Sequence, residues 1–174
     1  MKQHLIPATV AVAVVSIGTA PAQEKENRIK KSADATFVTK AAQGGMAEVE
    51  LGKLATQTAS NDKVKQFGQR MVDDHTKAGD ELKAIAAQKG MTIPSDLSSK
   101  DAATKNRLSG LNGAAFDRAY MQDMVNDHKA DIAEFQKEAD HGTDPDVKAF
   151  AQKTLPTLQE HLRMAQDALA AVKQ

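Results

Sequence analysis

Four residues have the types and positions to do chemistry together: Glu48, His75, His128 and His161. Each falls on a different helical segment. At about 100° per residue, His75 lies about 40° from the centre of its segment's apolar stripe, His161 about 45°, and His128 near the centre of its own. Glu48 shares a face of mostly small residues with Phe37, Ala41, Gly45, Gly52 and Ala55, whereas Glu50 points the other way. A buried carboxylate or imidazole needs a partner. One shared transition-metal ion would supply it, since imidazole suits zinc, copper, iron and nickel and carboxylate suits harder ions. Asp74, Asp127 and Asp131 are placed to orient such ligands. The alternative is a set of core histidines hydrogen-bonded to aspartate or to Tyr120. Met71 and Met124 lie four residues before His75 and His128, and Met164 three after His161. Thioethers beside imidazoles would suit copper(I); otherwise methionine fills gaps in a core. His141, beside Gly142, reads as a solvated residue.

These side chains require four long helices. The first runs from about Asp34 to Ser60, with Ser32 or Asp34 as its cap. The second runs from about Asp62 to Lys89, between Asn61 as N-cap and Gly90 as C-terminal stop. Met91 to Gly113 breaks the pattern, with Pro94, Gly110 and a short helix near Asp101 to Leu108. The third long helix spans about Ala114 to Asp140. Asp144 and Pro145 open the fourth, which ends near Val172 and should kink or bulge at Pro156. Short link, long crossover and short link are the connectivity of a ferritin-like four-helix bundle, with the second and third long helices parallel; an up-down-up-down bundle with a floppy middle loop is the alternative. The fold class is therefore all-α. Depth agrees: Glu48 lies about 13 residues before the first turn and His75 about 14 after it, so at about 1.5 Å per residue they share a level. His128 and His161 differ by about four residues from their turn, or about 6 Å. Met71-Val72-Asp73-Asp74-His75 also echoes Met124-Val125-Asn126-Asp127-His128.

Composition excludes several functions. Lysine plus arginine number 23 and aspartate plus glutamate 23, a balance unsuited to general nucleic-acid binding. Five phenylalanines, one tyrosine and no tryptophan leave few platforms for base stacking. No cysteine is present, so thiol chemistry, disulfides and lipoprotein anchoring are excluded. There is no glycine-rich phosphate loop, because Gly44-Gly45 lacks the motif's lysine. Lys2, the apolar run Leu5 to Ile17 and Ala20-Pro21-Ala22 read as a signal peptide over 1–22, cleaved to leave Gln23 first. A disordered lead over 23–33 and the bundle domain over 34–174 would follow. With no further apolar span, the mature chain is expected to be exported to the periplasm, with outer-membrane association open.

The combination Glu48-Val49-Glu50-Leu51-Gly52, Met71-Val72 with Asp74-His75, Gly113 through Met121 with Asp127-His128, and Thr154-Leu155-Pro156-Thr157-Leu158 with His161 resembles the domain-of-unknown-function 4142 family. The resemblance covers about Asp34 to Val172. It implies export and a ferritin-like fold, in proteins often labelled outer membrane proteins, and no established activity. Metal-bearing ferritins place a Glu three residues before each ligating His; here those positions hold Val72, Val125 and Leu158. A di-iron carboxylate site is therefore absent, and a mononuclear zinc, copper or iron site rich in histidine is the remaining metal chemistry. The reading is an exported binding or stress-associated bundle. The alternatives are a metal-dependent enzyme using the same four residues and a structural or interaction module without metal. Substrate, protein partner and oligomeric state are left open.

Overall fold

The structure, a computed structural model, describes residues 20–173. The signal segment expected over 1–22 therefore lies outside the described residues, save for its last three. Five helices follow one another: α1 (Ala20–Thr58), α2 (Asp62–Lys89), α3 (Ser99–Ser109), α4 (Gly113–His141) and α5 (Pro145–Val172).

Local chemistry sets most of these boundaries. The Asn61 side chain accepts from Lys63 N and caps α2, and Gly90 ends it at φ 62°, a conformation that glycine adopts without strain. Asp144 accepts from the backbone N–H groups of Asp146 and Val147, ahead of Pro145 at the first helical position. Pro156 does not interrupt α5, although it leaves the carbonyl of Gln152 without a helical donor.

The start of α1 departs from the sequence reading. Among the described residues the helix already runs from Ala20 and passes through the segment expected to be a disordered lead. That segment has no apolar stripe, but alanine, glutamine, glutamate, lysine and arginine are strong helix formers. Ser32 and Asp34 are thus interior residues and not caps. Asp34 is buried and serves a different helix end. Its carboxylate accepts from Thr143 N (3.2 Å), Asp144 N (2.8 Å) and the Thr143 hydroxyl (2.6 Å), bracing the turn between α4 and α5. Asp117 on α4 does the same for the turn between α1 and α2, accepting from Ser60 N (3.0 Å), Asn61 N (2.9 Å) and the Ser60 hydroxyl.

These reciprocal clasps make α1 and α4 antiparallel neighbours. α2 is antiparallel to α1 across a short turn, and α5 to α4. α2 and α4 consequently run the same way, joined by the crossover that carries α3, so the ferritin-like connectivity is present. The α1–α2 crossing is very close: a Cβ on Gly68 would fall 2.8 Å from Ala55 Cβ and 2.9 Å from the Gly52 carbonyl oxygen.

The core is split along the bundle axis. One apolar cluster includes Leu51, Phe67, Met71, Phe116, Met121, Met124 and Leu169. The other includes Phe37, Val38, Leu82, Phe135, Phe150 and Leu158. On all four long helices the gap between them falls at the level of Glu48, His75, His128 and His161. A buried polar layer thus lies between two dry ones.

Candidate metal centre

Every helix of the bundle contributes one side chain to this layer: Glu48 from α1, His75 from α2, His128 from α4 and His161 from α5. All four are buried. The three imidazoles offer one nitrogen each within 4.8 Å of one another, and their ring centroids are 5.3–6.0 Å apart. Glu48 reaches two of them, with Oε2 2.7 Å from His75 Nε2 and Oε1 3.3 Å from His128 Nδ1. The four residues singled out in the sequence are brought together.

The hydrogen bonds determine which nitrogens are free. His128 Nδ1 is 2.9 Å from the Met124 carbonyl, which can only accept, so that nitrogen carries a proton, and in the neutral ring Nε2 is the nitrogen with the lone pair. The 3.3 Å approach of Glu48 to the same Nδ1 is electrostatic, since the single N–H is committed to the carbonyl. His161 Nε2 is 2.8 Å from Asp74 Oδ2, which places the proton there and leaves Nδ1 free. Asp74 is itself held by Arg70. His75 Nε2 is close to Glu48, but off the line a ring N–H would take. The buried polar atoms without a hydrogen-bond partner accordingly include His75 Nε2, His128 Nε2, His161 Nδ1 and both Glu48 oxygens.

Electrostatics agree with an anion among imidazoles. Burial opposes ionisation of Glu48, but His75 and His128 outweigh it and hold the carboxyl down to about 2. Burial also works against protonation of His75, yet the Glu48 carboxylate raises its pKa. Burial drives His161 down to about 4 despite the opposing bond to Asp74, so His161 is neutral at neutral pH.

The expected supporting carboxylates divide. Asp74 orients an imidazole. Asp127 pairs with Lys100 at 3.5 Å, and neither it nor Asp131 bonds a histidine. Asp131 is instead pushed up to about 8 by burial and by the Glu48 charge. Tyr120 does not bond a histidine either; it stacks on Phe116 and its hydroxyl is unpartnered. Met71 and Met124 belong to the apolar cluster below the site, and the Met124 contribution to His128 is its backbone carbonyl. His141 is exposed at the end of α4. What sequence reasoning missed is Met124 as a backbone acceptor, which no side-chain pattern signals, and the clasps formed by Asp34 and Asp117.

Residues 18–168 match the model of the domain-of-unknown-function 4142 family. No curated protein matches the chain. Among solved structures, a fragment of a domain-of-unknown-function 305 protein from Deinococcus radiodurans is similar, with a TM-score of 0.70 and 16% identity over 80% of this chain and 96% of that one. A domain-of-unknown-function 305 protein from Streptomyces coelicolor, designated a secreted protein, gives a TM-score of 0.70 and 16% identity over 81% and 92%. At that identity the likeness is one of fold.

Proposed function

We propose that this chain, which belongs to the domain-of-unknown-function 4142 family, is an exported bundle that binds one divalent late first-row transition-metal ion through Glu48, His75, His128 and His161. The observation that carries this reading is the set of lone pairs left over in the polar layer. The Met124 carbonyl and Asp74 each take the proton-bearing nitrogen of an imidazole, leaving His128 Nε2 and His161 Nδ1 unpartnered and buried in the layer that also holds His75 and an anionic carboxylate. Buried polar atoms are normally satisfied, and metal-ligating histidines characteristically donate their other nitrogen to a carbonyl or carboxylate. Three imidazoles and one carboxylate fit a four-coordinate ion such as zinc(II). They also favour binding over catalysis, because four protein donors leave no position for substrate.

Export rests on the leader features at the N-terminus, and the absence among the described residues of any helix long and apolar enough to cross a membrane is compatible with it. Periplasmic residence, cleavage after Ala22 and a bundle domain beginning near residue 34 are part of the same reading.

Titration of metal-free protein with zinc(II) against a competing chelator tests it. Wild type should take up one ion per chain, and saturation at about 1,000 times Kd should add about 4 kcal/mol of stability. His128→Ala should abolish uptake and His141→Gln should leave it intact. Equal, weak binding by wild type and His128→Ala would eliminate the site and leave a metal-free structural bundle with an internal Glu–His ion pair.

A further inference from the structure

The four ligating side chains are not equally enclosed. His128 and His161 are fully buried, while His75 retains 8% exposure. That exposure faces a cavity of about 430 Å³ between α1, α2 and the crossover. Ala42, Met46, Val49, Ile93 and Leu97 supply its apolar walls, and Glu50, Lys53, Asp80 and Lys83 also line it. These charges pair as Lys53–Glu50 at 3.0 Å and Lys83–Asp80 at 3.2 Å, so no uncompensated charge of either sign guards the opening.

A second cavity, of about 30 Å³, lies on the inner side and is lined by Glu48, Asp131, Phe135 and Leu158. The two cavities share Gly45, His75 and Gly79. The imidazole of His75 is thus the partition between an outer chamber and the polar layer, with a glycine on α1 and a glycine one turn along α2 beside it. A Cβ on Gly79 would meet nothing within 4 Å, and one on Gly45 would meet only His75 Nδ1, at 3.9 Å. Neither glycine is needed for helix contact, unlike Gly52 and Gly68. Both cost helix stability, and both leave room at the edge of this ring.

Resting on the binding function proposed above, we infer that His75 is the gate ligand of the site: the ion arrives through the 430 Å³ cavity, is captured by the imidazole of His75 turned outward, and reaches Glu48, His128 and His161 as that ring swings back between Gly45 and Gly79. A hydrated cation exchanges water for donors one at a time, so the first donor it meets must be accessible and its side chain free to turn. His75 lines the outer cavity, and the space beside it at Gly45 and Gly79 gives its ring room to turn. A third cavity, of about 90 Å³, touches Glu48 from the α3 side. It is lined by Lys100, Asp101, Asp127 and Asp131 and presents no imidazole, so it is the rival route, on which Glu48 and not a histidine would be the first ligand met.

Filling each cavity separately decides between them. Gly79→Leu places a side chain in the outer chamber, and Thr104→Leu occupies the α3-side cavity. Metal-free wild type and both variants are mixed with zinc(II) in a stopped-flow instrument with a chromophoric chelator as competitor, after thermal melts confirm folding. Gly79→Leu should slow zinc(II) association and dissociation at least tenfold each, with Kd within threefold of wild type, while Thr104→Leu keeps wild-type rates. Unchanged rates in Gly79→Leu would overturn the inference while leaving the binding function standing. So would slowing confined to Thr104→Leu, or a loss of affinity through faster release alone. Absence of zinc(II) uptake by wild type would instead overturn the binding function, and the gate with it.

Discussion

Replacing Glu48 by Gln removes the anion of the polar layer while keeping its shape. In the metal-free protein the consequence can be sized from the carboxyl's own titration. Its pKa falls from 4.5 to about 2 in the folded chain, a difference worth about 3 kcal/mol at neutral pH. The sign follows from the direction. A carboxyl depressed by folding contributes stability above its unfolded pKa, and that contribution is lost as pH falls from about 4.5 through 2. The neutral amide resembles the protonated acid, so Glu48→Gln should lose about 3 kcal/mol at pH 7, comparable to breaking other buried ion pairs. For a chain of this size that is a drop in Tm of about 6–12 °C. Near pH 2 the two proteins should converge. His161, held down to about 4 by burial, adds a separate decline between about pH 6.5 and 4, because the unfolded chain takes up its proton first; both proteins should keep that decline. Urea denaturation in the presence of a chelator, from pH 7 to pH 2, reads all of this. A variant as stable as wild type at pH 7, or one still losing stability between pH 4.5 and 2 as steeply as wild type, would refute the account of Glu48 as an anion held by two imidazoles.

Two further substitutions probe the supports of the site. Asp74→Asn weakens the acceptor that fixes the His161 tautomer and should reduce zinc(II) affinity about 10–100-fold in a chelator competition, with little change in metal-free stability because Asp74 is partly exposed; unchanged affinity would deny it an orienting role. Gly68→Ala introduces a Cβ 2.8 Å from Ala55 Cβ and 2.9 Å from the Gly52 carbonyl oxygen. Overpacking of about 1–3 kcal/mol should outweigh the helix-propensity gain of about 1 kcal/mol and lower Tm, whereas a rise in Tm would show that the two helices separate freely.

The site was readable because helical phase and distance from a turn are both countable along the chain. Glu48 and His75 sit at nearly equal distances from the first turn, and the structure places their side chains 2.7 Å apart. The four-residue offset of His128 and His161 is absorbed by side-chain reach, with ring centroids 5.3 Å apart. Asp74 was legible as an orienting group because it adjoins a histidine on an inward-facing stripe. Asp127 occupies the corresponding position beside His128, yet pairs with Lys100 on the crossover helix and reaches no histidine. The clasps of Asp34 and Asp117 were not legible: a lone acid in a helix does not announce a turn on the other half of the chain as its partner. The early start of α1 was missed for another reason. Its first residues favour helix by propensity alone, and without an apolar stripe the periodicity that reveals the other helices is silent.

The clasps expose a repeat that also bears on how many ions the bundle can hold. Asp34 with Ser60 and Asn61 corresponds at one constant spacing to Asp117 with Thr143 and Asp144. At the same spacing Val64-Lys65-Gln66-Phe67-Gly68-Gln69-Arg70 matches Val147-Lys148-Ala149-Phe150-Ala151-Gln152-Lys153. The α1–α2 pair and the α4–α5 pair are therefore two versions of one hairpin, a different relation from the echo around His75 and His128. In that register Glu48 corresponds to Asp131, so each half places one acid at the level of the polar layer. The halves differ in what surrounds the acid. His128, His161 and His75 correspond to Gly45, Ala78 and Leu158. Glu48 has imidazoles against both oxygens and is held down to about 2, whereas Asp131, with no imidazole bonded to it, is pushed up to about 8 and keeps its proton at neutral pH. A twofold, two-ion centre would need donors where Gly45, Ala78 and Leu158 now stand, and a second ionised carboxylate that burial disfavours. The duplicated scaffold thus supplies two acidic positions, but the side chains around them equip one, which is why a single ion per chain is the stoichiometry that fits the charge of this core.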